Sequence, residues 1–178
     1  VVDVLKLANQ DKIDLTITSN GKTAAQLKFT SNSFSAHFVK LGVNPKDGTI
    51  KILQVVTTGD AGKIISPKTA RSQMLGGVVG GIGMALSEKL EIDHKTGQII
   101  NASFGGYHVP LHSHIPPTDV WFVNKPDPNI NDIGAKGIGE IALIGFAAAI
   151  TNAVYNATGK RVRDLPITPE KLGFKSKV

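Results

Sequence analysis

The sequence predicts an α+β fold built from antiparallel hairpins and two long Gly/Ala-rich helices. Three observations carry this. Segments that alternate apolar and polar residues are separated by short turn signals, and two longer apolar stretches carry helix start or stop signals. No repeat, low-complexity tract or linker interrupts the 178 residues, so 1–178 reads as one α+β unit.

The chain opens without a methionine on Val1-Val2-Asp3-Val4-Leu5-Lys6-Leu7-Ala8, whose apolar spacing is that of a helix already under way. That start is expected of a fragment or a processed product. Lys12 to Thr18 and Ala24 to Phe29 flank Ser19-Asn20-Gly21-Lys22, where Asn-Gly signals a hairpin. A longer hairpin is predicted from Phe34 to Val43 and Thr49 to Thr57, joined by Asn44-Pro45-Lys46-Asp47-Gly48. The turn Thr58 to Gly62 then leads to a helix from Pro67 to about Lys89, with Ser66 as its cap and Pro67 in the first turn. Glu91 to Phe104 reads as a hairpin around His94-Lys95-Thr96-Gly97, and Asp119 to Asn124 as a short strand behind Pro116-Pro117. A second long helix is expected from near Lys136 to Gly159, whose residue type suits a left-handed stop.

A hydrophobic share of 41% is enough for a sizeable core. With aromatics at 6% but 19 glycines, packing by close backbone approach should be common. The net charge of +6 is scattered, and its densest cluster, Lys160, Arg161 and Arg163, is followed by Asp164, so it reads as solvated surface and not a nucleic-acid face. The absence of cysteine excludes disulfides and thiolate metal sites within this chain. Ile141 to Tyr155 falls short of the ~20 residues of a membrane helix, and no signal segment opens the chain. It reads as soluble, with the compartment undecided between bacterial cytoplasm and periplasm.

Several segments could carry chemistry. Glycines within the first long helix cost about 1 kcal/mol each relative to Ala. Gly76, Gly80 and Gly83 are expected to form a smooth stripe against a neighbouring element. Gly81-Ile82-Gly83 is a poor dinucleotide fingerprint, because it falls inside a helix and lacks a third glycine in register. Gln73, one turn earlier, could reach polar groups of a ligand along the helix. Asp60 could be a ligand or an acid, but that residue more often caps a turn. His108, His112 and His114 are spaced for a shared ion, yet no acidic residue or cysteine nearby completes a set, and Pro110, Pro116 and Pro117 indicate an extended surface segment.

Gly134-Ala135-Lys136-Gly137-Ile138-Gly139-Glu140 is a glycine-spaced loop that runs into an apolar helix. Free amides at a helix start favour an anion, although the loop lacks the Gly-Lys-Ser/Thr ending of a phosphate loop. Glu140 is open to two readings: a carboxylate in a helix's first turn gains ~0.3–1 kcal/mol from the dipole without any function, or it is a functional group. Its neighbours Ile138, Gly139 and Ile141 favour the second, because desolvation raises a carboxyl's pKa towards that of a useful base.

Together these segments resemble the molybdenum-cofactor-binding subunit of the xanthine dehydrogenase/aldehyde oxidase (molybdenum hydroxylase) family. The match runs through Gly59-Asp60-Ala61-Gly62-Lys63-Ile64-Ile65-Ser66-Pro67, Arg71-Ser72-Gln73, Gly76-Gly77 and Gly81-Ile82-Gly83-Met84-Ala85-Leu86-Ser87-Glu88. It continues in Tyr107-His108-Val109-Pro110, the Gly134 to Glu140 loop and Asp164-Leu165-Pro166-Ile167-Thr168-Pro169-Glu170-Lys171-Leu172. It covers the chain from about Phe34 to the end and is closest to bacterial aldehyde-oxidase-like members.

The resemblance implies the C-terminal lobe of a molybdopterin-binding domain, and hydroxylation of an aldehyde or N-heteroaromatic, purine-like substrate with water-derived oxygen. It makes Glu140 the general base that takes a proton from a hydroxyl on molybdenum. Gln73 and the backbone of Gly137, Ile138 and Gly139 would touch the cofactor, and the chain would supply no metal ligand. Partners implied are the upstream part of the same subunit, iron–sulfur and FAD subunits or domains, and a small-molecule substrate, with neither nucleic acid nor membrane. One departure is Gly80, which stands where animal members usually carry a second glutamine. The fragment alone is expected to hold no cofactor tightly and not to turn over. The alternative is a non-catalytic anion- or nucleic-acid-binding module.

Overall fold

A computed structural model describes residues 2–9, 11–18 and 28–175. The chain divides into two compact units, Val1–Thr30 and Ser31–Val178. The first contains helix α1 (Val2–Leu7), in line with the helical spacing of its sequence. Residues 12–18 form no strand, and Ile13, Leu15 and Ile17 are exposed, so the alternation there buries no face. The turn and most of the second arm of that predicted hairpin lie outside the described residues.

The second unit is built on the long hairpin. Strand β1 (Phe34–Val43) pairs antiparallel with β2 (Ile50–Asp60), from Phe34 opposite Asp60 to Val43 opposite Ile50. The register shifts at Lys40/Leu41, where Leu53 is the extra residue of β2. β2 runs through the predicted turn at Thr58 because it has ladder partners on both sides there: β1, and β3 (Thr118–Phe122), which pairs parallel with Val55–Gly59. Alternation puts Ser35, His37, Val39 and Leu41 on the inner face of β1, opposite exposed Phe34, Phe38 and Lys40.

That inner face is covered by α4 (Phe146–Thr158), and α2 (Pro67–Leu86) packs beside α4 and against β3. Val55, Val78, Ile82, Phe146, Ile150 and Val154 form the centre of the core, and burying each contributes about 1.5–3 kcal/mol. Ser66 and Pro67 occupy the predicted start positions of α2, although the Ser66 side chain makes no capping bond. The helix ends at Leu86 because the Ser87 and Glu88 amides both turn back to the Gly83 carbonyl, at 3.0 and 2.8 Å. Val162, Ile167 and Leu172 close the core, with the Ile167 amide bonded to the Ala85 carbonyl at 2.7 Å.

Two expected elements differ. Between Glu91 and Phe104 only a single bridge, Ile92 to Ile99, forms. Ile92, Ile99 and Ile100 are exposed, and a two-stranded ribbon without a buried face is not stable alone. The helix expected from Lys136 starts at Ile141 as a short α3 (Ile141–Ile144) and breaks at Gly145 before α4, which ends at Gly159 as predicted. It cannot start earlier because Ala135 bridges to Gly62 and the Lys136 amide donates to the Ala61 carbonyl at 2.8 Å. Ile141–Thr158 is long and apolar enough to be weighed as a membrane span, but it is broken at Gly145 and Phe146, Ala147, Ile150 and Val154 are buried in this unit.

The glycine face of α2 matches the expected stripe at Gly80 and Gly83 but not at Gly76, and its tightest contacts with the helices that follow are at Gly77 and Gly81. A Cβ on Gly77 would lie 2.6 Å from the Ala142 Cβ and 2.9 Å from the Leu143 nitrogen, and one on Gly81 2.7 Å from the Phe146 Cβ. Gly80 faces Leu143, Gly83 faces Glu88 and Pro110, and Gly76 faces open space.

This predicts opposite outcomes for neighbouring substitutions. Gly77→Ala should destabilise by a net ~1–2 kcal/mol, overpacking outweighing the ~1 kcal/mol gain in helix propensity. Gly76→Ala should be neutral or stabilising by up to ~1 kcal/mol, and chemical denaturation of the two variants checks the difference.

Candidate active site

Of the segments singled out from the sequence, the Asp60–Gly62 turn and Gln73 converge on the Gly134–Glu140 loop, whereas His108, His112 and His114 do not. The base of the loop is a crossing of two chain segments. Gly62 (φ +66) and Gly134 (φ +69) are both in the left-handed region, and a Cβ on Gly62 would lie 2.2 Å from the Gly134 carbonyl oxygen. That oxygen accepts from the Lys63 and Asp127 amides, each at 2.9 Å. Asn131 clamps the next residue, donating to the Ala135 carbonyl at 2.8 Å and accepting from its amide at 3.2 Å.

Lys136 turns inward. Its side chain is 8% exposed, and Nζ lies 3.0 Å from Asp60 Oδ1 and 5.7 Å from the centre of the Phe34 ring. Asp60 also accepts from the Gly62 amide at 3.1 Å, the turn role expected of it. The Gly62 amide foremost, and then Lys136, hold its carboxyl below the usual carboxylate range.

Beyond Lys136 the loop is held by its carbonyls. The Gly137 oxygen accepts from the Ser33 hydroxyl, the Gly139 oxygen from Gln73 Nε2 at 2.8 Å, and the Ile141 oxygen from the Ser35 hydroxyl at 2.6 Å. Gln73 is therefore brought to the residue before Glu140. The amides of Gly137, Ile138, Gly139 and Glu140 make no hydrogen bond among the described residues, and neither does Gln73 Oε1. A Cβ on Gly137 or Gly139 would meet nothing within 4 Å, so the backbone there faces open space. A cleft of ≈ 390 Å³ adjoins the loop, lined by Ile64, Ser66, Thr69, Gln73, Lys136 and Ile138.

Glu140 is the residue before α3 and makes no side-chain capping bond. Its side chain is exposed, so this chain does not provide the desolvation expected from its apolar neighbours. The expected dipole is also weak, since a four-residue helix sums few peptide dipoles. His108, His112 and His114 are all exposed; His108 faces the Gly105 carbonyl, and His114 accepts from the Leu111 amide. Among the described residues no group of three His, Asp or Glu could hold a metal ion.

Ser33, Ser35, His37 and Lys136 were not picked out as site residues by the sequence reading. The signal was present: Ser35 and His37 are polar residues at core-facing positions of an alternating strand.

These exposed amides and the exposed amide oxygen of Gln73 fit a polar, hydrogen-bonding organic cofactor such as a pterin. The family model described as a molybdopterin cofactor-binding domain matches residues 3–116. The aldehyde oxidoreductase molybdenum-binding subunit PaoC of Escherichia coli is 45% identical over 145 residues, covering 82% of this chain and 20% of that protein. The xanthine dehydrogenase molybdenum-binding subunit of Escherichia coli O157:H7 is 36% identical, covering 83% and 20%. Among solved structures, the aldehyde oxidoreductase of Desulfovibrio desulfuricans superposes with a TM-score of 0.71 at 34% identity, covering 79% of this chain and 15% of that one. Quinoline 2-oxidoreductase of Pseudomonas putida 86 gives 0.70 at 26%, covering 77% and 18%. The chain spans about one fifth of the length of the curated relatives it matches.

The Lys136 ion pair makes a pH-dependent prediction. Lys136→Met should cost ~1–2 kcal/mol at neutral pH, less than a fully buried pair because Asp60 remains about one third exposed. Asp60 titrates below its ordinary 3.8 in the folded state, so its contribution is complete above that value and is lost as pH falls through the lower one. The stability gap between wild type and variant should therefore be constant above ~pH 5 and narrow in acid, as urea titrations at several pH values would show.

Proposed function

The chain belongs to the molybdopterin cofactor-binding domain family, and on that premise we propose that it is the C-terminal part of the molybdenum-binding subunit of a hydroxylase, with Glu140 as general base. The relatives' names support the substrate class, an aldehyde or an N-heteroaromatic ring as in xanthine and quinoline. When bound, the molybdenum cofactor supplies the two-electron oxidant for hydroxylation with water-derived oxygen.

This chain's residues supply position and a proton acceptor. Gln73 uses Nε2 to fix Gly139, and its Oε1 would accept from an N–H donor of the pterin. The open amides of Gly137, Ile138 and Gly139 would serve as donors to the cofactor. Glu140 stands next to them with an uncapped, exposed carboxylate, available to hold a proton taken from the reacting centre. The upstream part of the subunit would complete the site, and iron–sulfur and flavin partners would carry electrons away. The observation that carries this reading is the 2.8 Å bond from Gln73 to Gly139, which joins segments 66 residues apart directly beside Glu140.

In the full-length enzyme, Glu140→Gln should lower kcat by ~10²–10⁴ with molybdenum content unchanged. Near-normal turnover would remove Glu140 from the base role. Gln73→Leu should instead lower the molybdenum and pterin content of the purified enzyme, measured by metal analysis, because the amide that fixes Gly139 and faces the cofactor is lost.

A further inference from the structure

Ser31, Ser33, Ser35 and His37 alternate along one face of the chain, and that face is turned to the segment from Asp127 to Ile141. Ser31 donates to the Asp127 carboxylate, Ser33 to the Gly137 carbonyl and Ser35 to the Ile141 carbonyl. His37 Nε2 lies 3.1 Å from Ser35 Oγ, and its Nδ1 lies 2.8 Å from Oγ1 of Thr57, which is fully buried on β2.

The direction of this chain follows from its end. A carbonyl can only accept, so the Ser35 proton is committed to Ile141 and Ser35 Oγ accepts from His37. Nε2 therefore carries a hydrogen, and the neutral ring's Nδ1 accepts from the Thr57 hydroxyl. Burial, the larger influence, lowers the His37 pKa and keeps the ring neutral, against a smaller opposing effect of the Ile141 carbonyl. The other side of the ring is held as well: a Cβ on Gly145 would lie 2.9 Å from its Cδ2, and Phe146 meets it edge-on at 5.7 Å. Both ends of α3 thus rest on His37 and Ser35.

We propose that Thr57, His37 and Ser35 form a positioning relay that fixes the Ile141 backbone and, through it, the aim of the Glu140 carboxylate. The three are positioning residues, and the proposal rests on Glu140 being the base. The Gly139 carbonyl, one residue before Glu140, and the Ile141 carbonyl, one residue after it, are thus held from two different elements, α2 and β1. Packing at Gly77 sets where α3 begins, but only from the α2 side; without the relay the Ile141 carbonyl loses its tether to β1 and the first turn of α3 aims the carboxylate less closely.

The test uses Ser35→Ala and Ser35→Thr in the full-length holoenzyme, with hydrogen–deuterium exchange of residues 140–145 and steady-state kinetics. Ser35→Ala should accelerate exchange there and lower kcat roughly tenfold with little change in KM. Ser35→Thr, which keeps the hydroxyl, should bring both back towards wild type. Unchanged exchange in Ser35→Ala overturns the relay; faster exchange with unchanged kcat overturns its role in aiming Glu140. Equal losses in both variants mean packing alone and also overturn it. Should Ser35→Ala not fold, His37→Phe, which removes the ring donor, takes its place under the same criteria. The exchange readout is independent of turnover, so a failure of the Glu140 assignment, seen as an active Glu140→Gln enzyme, is distinguishable from a failure of the relay.

Discussion

The rest of the site depends on how closely α2 and α3 approach at Gly77. With no side chain there, Ala142 and the Leu143 amide settle directly on the α2 backbone, and four residues on Phe146 does the same against Gly81. That contact fixes the level at which α3 begins, which sets where the loop before it must end. Glu140 therefore owes its location to packing two residues further along the chain. The cost of putting glycine inside a helix is offset by the buried contact of Phe146, Ile150 and Val154 with the sheet.

Around the loop the backbone is divided by function. Carbonyls of Gly134, Ala135, Gly137, Gly139 and Ile141 accept bonds from within the protein, while the amides from Gly137 to Glu140 are left facing outwards. A loop held by its acceptors and open through its donors is rigid and still able to bind. The buried Lys136–Asp60 pair adds a charged anchor beneath it, placing the loop's cation inside and leaving the rim to donors without formal charge.

Much of this was legible in the sequence. The Phe34–Val43 hairpin, the Pro67 helix start and the Gly159 stop each follow from local turn chemistry and periodicity, and the structure agrees. The failures have a common cause in long-range pairing. The helix expected from Lys136 is delayed because its would-be first turn is engaged by Ala61 and Gly62, and β2 outruns its predicted end because β3 lies beside it. The stripe on α2 includes Gly80 and Gly83 as expected, but the closest approach falls at Gly77 and Gly81, since periodicity tells that a glycine face exists but not which neighbour it meets. Ser35 and His37 were passed over although their inward positions could be counted from the alternation.

The tethers of the loop join residues 66, 104 and 106 positions apart. Contacts of such sequence separation carry a high loop-closure cost and form after local structure during folding. A partly folded chain can hold α2 and the β1–β2 hairpin and still lack the rim around Glu140. On the proposed function, cofactor loading then has a natural order: the chain completes its most distant contacts before the rim is there for a pterin, and an unfinished chain would capture it poorly.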